Sequence, residues 1–316
     1  MQLHGIHHVT AISAKISQNA RFYTQGLGLR LVKKSVNQDD TSAYHLFYAD
    51  RVGTPGTDMT FFDWPGIPQE RRGTDSIAGT AFRVNGPAAL AYWQARLPEH
   101  GAKLQPMTTF DGRDVLPFED PEGQRLLLVD DQGAPAEAEP WDGAGVPPEH
   151  AIRGFYAAVL SVPRMDYANA VLTQALNFTQ ARVASFGDGR TAAIYTMDAG
   201  DPGQQVWVME EPHSAPAYSG AGGVHHVAFR VRDDAEQEAW RAALRRVGVP
   251  VSAIIDRYYF KSIYFRISNG ILFEIATDGP GFAADEPLEA LGERLALPPF
   301  LEPKRAQIEA RLKPIV

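Results

Sequence analysis

The sequence predicts an α+β protein made of four βαβββ modules followed by a short helical C-terminal tail. Two observations predict it: an internal repeat, and a shared order of patterns inside each repeated unit. Ala81-Phe82-Arg83-Val84 recurs as Ala228-Phe229-Arg230-Val231, 147 positions later. At the same shift Gly123 meets Gly270, the latter in Ser268-Asn269-Gly270, and Asp131 meets Asp278. A fainter match, Thr24-Gln25-Gly26-Leu27 with Thr173-Gln174-Ala175-Leu176, has a shift of 149 and also aligns Gly5 with Gly154. A repeat of this kind is the signature of a duplicated supersecondary unit. The units fall near 4–66, 77–131, 152–213 and 222–278.

Each unit opens on an apolar strand, continues into an amphipathic helix and ends in two or three more strands. In the first, Ser17 is the expected helix cap, with Phe22 and Tyr23 on the helix and Gly26 and Gly28 beyond it. In the second, Pro87 stands where an N1 proline belongs, and Gly101 follows the stop. In the third, Pro163 begins a helix reaching Leu176. In the fourth, Asp233 or Asp234 caps and Gly248 terminates. Val206-Trp207-Val208-Met209 and Ile271-Leu272-Phe273-Glu274-Ile275 are closing strands. The organisation expected is an N-terminal pair of modules (1–131), a Pro/Gly/Ala-rich linker (132–150), a C-terminal pair (151–280) and a tail (281–316). In the tail, Leu288–Leu295 and Pro303–Leu312 have helical patterns and are expected to pack back on the body.

Composition narrows the function classes. The chain has 316 residues, 44% hydrophobic and 22% charged, as in ordinary globular proteins. The net charge of −8 argues against a general nucleic-acid or anionic-membrane binder. Cysteine is absent, which removes disulfides, thiolate metal sites and thiol catalysis. Met1–Ala20 lacks the pattern of a signal peptide, and no apolar run is long enough to span a bilayer. The expected location is cytoplasmic, with no nucleic acid and no membrane as partner; a homo-oligomer stays open. Gly26-Leu27-Gly28 ends a helix and is no dinucleotide loop, and the sequence has no phosphate-binding loop, His-Glu-x-x-His or Gly-x-Ser-x-Gly.

Four of the nine histidines lie in two adjacent pairs, His7-His8 and His225-His226, each at the start of an opening strand. Side chains alternate across a strand, so one histidine of each pair faces a given cavity and the other packs behind or bonds locally. At the repeat shifts His226 falls on Gly79, Glu274 on Leu127 and His8 on Ala157. The inner units thus carry apolar residues where the outer units carry ligand types, as when one site survives in part of a repeated scaffold. Glu274 is a carboxylate inside an apolar strand, and burying it requires a cation or strong hydrogen bonds. Two imidazoles and one carboxylate are the facial triad of non-haem Fe(II) oxygenases, which leaves positions open for substrate and oxygen. Mn(II) suits the same donors; zinc does too, but cannot serve oxygen activation.

The segments Gly5-Ile6-His7-His8-Val9-Thr10, Val224-His225-His226-Val227-Ala228-Phe229, Asp256 to Arg266 and Leu272-Phe273-Glu274-Ile275-Ala276-Thr277-Asp278 resemble the vicinal oxygen chelate superfamily, which includes glyoxalase I, bleomycin-resistance proteins and extradiol dioxygenases. More narrowly the chain resembles ring-cleaving dioxygenases of the chlorohydroquinone type, over nearly its whole length. The resemblance implies two open β-barrel-like sheets. It implies His8, His226 and Glu274 as iron ligands, with His7 and His225 behind them. Arg257 and Tyr264 would line the substrate pocket as catalytic residues, and Thr10 would face the same side. Because the histidines sit in the outer units, units one and four should form the metal-bearing barrel, leaving an empty, apolar one to units two and three. The function implied is an Fe(II)-dependent extradiol-type dioxygenase inserting both atoms of O2 into a hydroquinone-type aromatic. The alternatives are a glyoxalase-type lyase or isomerase, and a non-catalytic aromatic-binding resistance protein. Asp63, roughly opposite Glu274, is where a glyoxalase-like enzyme would place a fourth ligand; it reads more simply as a turn residue before Trp64-Pro65-Gly66. His45 reads as structural, and His4, His100, His150 and His213 receive no role.

Overall fold

The computed structural model describes residues 1–267 and 270–315; Ser268 and Asn269 of the repeated turn lie outside the described residues. Unit one contains β1 (Ile6–Ser13), α1 (Ile16–Arg21), β2 (Arg30–Val36), β3 (Tyr44–Ala49) and β4 (Asp58–Asp63). Unit two contains β5 (Ser76–Val84), α2 (Gly86–Glu99), β6 (Lys103–Leu104), β7 (Thr108–Phe110), β8 (Arg113–Glu119) and β9 (Arg125–Asp130). Unit three contains β10 (Phe155–Val162), α3 (Met165–Ala170), β11 (Thr179–Ser185), β12 (Thr191–Thr196) and β13 (Gln205–Glu210). Unit four contains β14 (Val224–Val231), α4 (Asp234–Arg246), β15 (Ile255–Asp256), β16 (Lys261–Ile267) and β17 (Ile271–Thr277).

The strands form two curled sheets that do not follow chain order. One runs β15-β16-β17-β14-β1-β4-β3-β2 and joins units one and four. The other runs β11-β12-β13-β10-β5-β9-β8-β6 and joins units two and three. In each, two opening strands pair antiparallel at the centre, β1 with β14 and β5 with β10. The outer sheet faces pack with the helices into one core that includes Tyr23, Trp93, Phe229 and Trp240.

The repeated letters have structural reasons. Arg83 donates to Asp131 at 2.8 Å, and Arg230 donates to Asp278 at 2.7 Å, so the matched motifs are two copies of one ion pair at the end of a closing strand. Thr24 and Thr173 each donate to the carbonyl four residues earlier, inside five-residue π-helical turns that end the first helix of units one and three. Gly5 and Gly154 have positive φ, and a Cβ on Gly154 would meet the Gly56 carbonyl oxygen at 2.8 Å.

Several local expectations are corrected. Ser17 lies inside α1, whose N-cap is Lys15 without a side-chain cap. The third-unit helix starts at Met165, two residues after Pro163. Asp233 does cap α4, accepting from the Glu236 N–H at 2.9 Å. In the tail, Leu288–Ala290 is a single 3₁₀ turn, and the later segment narrows to a 3₁₀ turn at Glu302–Lys304 and α5 (Arg305–Glu309). The second barrel is not empty. Trp207 fills it, packed against Phe110 at 4.4 Å and near Tyr156 at 5.6 Å. The small Gly79 and Ala157, standing where His226 and His8 stand in the first barrel, leave that space for the indole.

The tail closes the floor of the first barrel. Phe282 packs against Phe47 and over Gly53, where a Cβ would lie 2.5 Å from the ring. Lys33 is fully buried, pairs with Asp285 at 2.6 Å and with Glu286, and lies 4.7 Å from the centre of the Tyr259 ring. Removing one partner of such a cluster strands buried charge. Lys33→Met is therefore expected to cost about 3–5 kcal/mol in chemical denaturation. Adding Asp285→Asn and Glu286→Gln to it should recover most of the loss.

Candidate metal centre

The geometry of the site starts from two β-bulges. The β1–β14 ladder pairs Ile6 with Phe229 but His8 with Ala228, and Thr10 with His226 but Ala11 with Val224. His7 and His225 are the extra residues. A bulge re-aims side chains and disturbs strict alternation. Each extra histidine consequently stays beside its neighbour: His7 Nδ1 lies 2.9 Å from His8 Nδ1, and His225 Nδ1 lies 2.7 Å from His226 Nδ1.

The outer nitrogens converge. His8 Nε2 and His226 Nε2 are 3.3 Å apart, and Glu274 Oε2 lies 3.3 Å and 2.9 Å from them. All three residues are buried. Glu274 Oε1 accepts a short hydrogen bond from Ser262 Oγ, whereas Oε2 makes no aligned hydrogen bond despite its near neighbours. Three donor atoms aimed at one point, with a buried carboxylate oxygen otherwise orphaned, fit a divalent cation. Adjacent ligands of an ion with bonds of about 2.1 Å lie about 3.0 Å apart in an octahedron. Among the described residues this is the one cluster of histidine and acidic side chains with such spacing.

The hydrogen bonds also set the tautomers. The Thr277 carbonyl can only accept, so His7 Nε2, 3.1 Å away, carries the proton. Burial, with His8 beside it, pushes His7 down to about 3, so the ring is neutral and its Nδ1 is an acceptor. His8 Nδ1 must then donate, which directs the Nε2 of a neutral His8 at the cation position as a lone pair. His225 is likewise pushed down to about 3, by burial and by His226. Burial alone would lower His8, but Glu274 raises it, while burial keeps His226 low. Burial opposes the charge on Glu274, yet His8 and His226 hold it well below the usual carboxylate range.

A pocket opens on this cluster, walled by Phe47, Phe62, Tyr259 and Phe260, with Arg257 and Tyr264 on one side. Arg257 Nε donates to Tyr264 Oη at 3.3 Å, and Arg257 Nη2 donates to Asp39 at 3.0 Å. Burial foremost, with Glu274 adding, raises Tyr264 above its ordinary value, so its hydroxyl keeps its proton. Burial opposes the Arg257 charge, but Tyr264 and Asp39 raise it overall and it stays cationic. The remaining sequence candidates lie behind this wall. Thr10 shares the His8 face but bonds Thr60 at 2.9 Å. His7 reaches the Thr277 carbonyl, and His225 sits at the edges of Phe62 and Trp64.

Asp63 does not face the cluster, and the register explains why. Glu274 pairs with Ala228, two residues after His226; two residues after His8 is Thr10, which pairs with Thr60. The two-fold counterpart of Glu274 is therefore Thr60, and Asp63, an odd number of residues away, points to the opposite face. Burial, then Glu122, pushes Asp63 up to about 6. Ser262 and Thr60 were missed from sequence. Ser262 was within reach of the alternation rule, since it shares a strand face with Tyr264.

Three outcomes test the centre. His8→Ala and Glu274→Ala should lose bound divalent metal in metal analysis of anaerobically purified protein; retention equal to the parent would refute the assignment. His7→Phe should weaken metal affinity about 10–100-fold, because the His8 tautomer is no longer set. Because a proton on His8, which Glu274 favours, competes with a cation for the same nitrogen, apparent metal affinity in equilibrium dialysis should fall as the pH is lowered and recover as it is raised.

The chain matches the model of the "Glyoxalase/Bleomycin resistance protein/Dioxygenase superfamily" over residues 5–128 and 154–278. It is 46% identical over the full length of both chains to the Bacillus subtilis protein named "Putative ring-cleaving dioxygenase MhqA". It is 30% identical to the "Chlorohydroquinone/hydroquinone 1,2-dioxygenase" of Sphingobium indicum, covering 95% of this chain and 93% of that one. The solved structure of a "putative dioxygenase" from Bacillus subtilis superposes with a TM-score of 0.91 at 38% identity, covering 100% of this chain and 98% of that one. Glyoxalase I from Zea mays shares the fold, with a TM-score of 0.63 at 15% identity over 87% of this chain and 92% of that one. With both halves matched and full-length relatives on this scale, the chain belongs to the glyoxalase/bleomycin resistance protein/dioxygenase superfamily.

Proposed function

We propose that the chain is an Fe(II)-dependent ring-cleaving dioxygenase that inserts both atoms of O2 into a hydroquinone-type aromatic, with His8, His226 and Glu274 as metal ligands. The observation that carries this reading is the convergence of those three donors at the foot of an aromatic-walled pocket. The names of the relatives, one of them a hydroquinone dioxygenase, point the same way. Mn(II) fits the same donor set.

Held by two imidazoles and one carboxylate, the ion supplies Lewis acidity toward a phenolic hydroxyl and a redox path to dioxygen. The chain's own residues do the rest. Phe47, Phe62 and Phe260 stack the ring and exclude water. Tyr264 keeps its proton and donates a hydrogen bond to a substrate oxygen. Arg257, anchored by Asp39, holds a fixed positive charge against negative charge developing on the substrate. Ser262 holds Glu274 Oε1, which leaves Oε2 beside the His8 and His226 nitrogens, where it would help to hold the ion.

Thr60 speaks against the glyoxalase-type alternative. It stands where that chemistry would use a fourth protein ligand, and its hydroxyl is engaged by Thr10 and His45. A binding protein that only sequesters aromatics has no use for the buried triad.

Anaerobically iron-loaded protein given hydroquinone and isotopically labelled oxygen should consume one O2 per ring and place both atoms in the product. Conversion of a hemithioacetal without oxygen would overturn the reading in favour of an isomerase. Tyr264→Phe should slow turnover by about 10²-fold or more while leaving iron content unchanged.

A further inference from the structure

Among the pocket residues with no part in that chemistry, one is an imidazole. His45, on β3, lines the same pocket as Arg257 and Tyr264. Its ring packs against Phe47 at 3.9 Å and Phe62 at 4.5 Å between centres. His45 Nε2 lies 2.8 Å from Thr60 Oγ1, and Thr60 is tied in turn to Thr10. Nδ1 makes no hydrogen bond among the described residues.

The two-fold relation of the barrel halves explains this placement. Ser262 pairs with Ala276, two residues beyond Glu274; His45 pairs with Phe62, two residues beyond Thr60. His45 is thus the counterpart of Ser262. In one half the third strand fastens a carboxylate ligand. In the other it fastens a threonine and leaves an imidazole nitrogen free toward the pocket. Burial, with His8 and His226 nearby, holds His45 well below its ordinary value, so it is neutral. Two side-chain amides also line the pocket, each with one end engaged: Asn37 Oδ1 accepts from the Asp39 N–H at 2.9 Å, and Gln38 Nε2 donates to the Arg257 carbonyl at 2.8 Å.

We propose that His45, held at Nε2 by Thr60, is the specificity residue that hydrogen-bonds the substrate's second hydroxyl through Nδ1, so that the site prefers a ring with two separated hydroxyls to a simple phenol. The inference rests on the ring-cleaving reading above and names the feature of the substrate that this half of the barrel recognises. A ring with one hydroxyl at the ion must place a second one against the pocket wall. Where that wall is aromatic, an unpaired hydroxyl is penalised, and a free imidazole nitrogen removes the penalty.

The test compares hydroquinone with phenol on anaerobic iron-loaded protein, reading binding by titration and hydroquinone-dependent O2 uptake on admitting air. The parent should bind hydroquinone roughly tenfold or more tightly than phenol. His45→Phe keeps a ring beside Phe47 and Phe62, and should bring that ratio near one with iron content unchanged. His45→Asn, which restores a polar group, should recover part of it and guards against misfolding of the first variant. An unchanged ratio in iron-loaded His45→Phe or His45→Asn, with O2 uptake intact, would overturn the role of His45 and leave ring cleavage standing. No hydroquinone-dependent O2 uptake by the parent would instead overturn the ring-cleaving reading, and this inference with it.

Discussion

The antiparallel pairing of β1 with β14 joins segments more than two hundred residues apart, and the rest of the site depends on it. This ladder places Thr10 opposite His226 and His8 opposite Ala228, which sets the two Nε2 atoms 3.3 Å apart. The parallel partner β17 then brings Glu274 beside Ala228. Closing so long a loop costs only slightly more entropy than closing a short one, because the cost grows with the logarithm of length. A site split between the first and last units is therefore no harder to hold than one built from neighbours, once both sheets have formed.

Within that frame the electrostatics are self-consistent. Glu274 is fully buried, a situation that would be prohibitive for a lone carboxylate. It is tolerated because Ser262 satisfies one oxygen and the imidazoles face the other. The extra histidines add orientation: through His7, the Thr277 carbonyl dictates which nitrogen of His8 is free. The bulges at His7 and His225 make these contacts geometrically available, since regular strands would send the two rings of each pair to opposite faces.

The two barrels show how little separates a chemical site from a packed core. Both have the same strand order about their centre and the same Arg–Asp clasp at a closing strand. In the second barrel Gly79, Ala157 and Leu127 replace the three donors, and Trp207 occupies the position equivalent to Thr60. Its indole donates to Gln205 at 2.9 Å, so even the filled barrel leaves no stray buried N–H there. The first barrel is closed from below by the tail through Phe282 and the Lys33 cluster, which leaves a pocket open above the donors.

The α+β class was legible in the sequence through period-two alternation and the internal repeat, whereas the trio His8, His226 and Glu274 and the pairing of outer with outer unit followed from the histidine positions and the family resemblance; the structure brings the three side chains together in the sheet that joins units one and four. Helix limits such as Ser17 and the tail's 3₁₀ turns were less legible, since capping and tail packing are decided by contacts outside the segment. The folded chain alone shows that Thr60 rather than Asp63 opposes Glu274, that bulges keep His7 and His225 beside His8 and His226, and that Trp207 fills the second barrel. Each of these depends on register between strands remote in sequence. A shift of one residue there exchanges the faces of a strand, and a linear pattern does not carry that information.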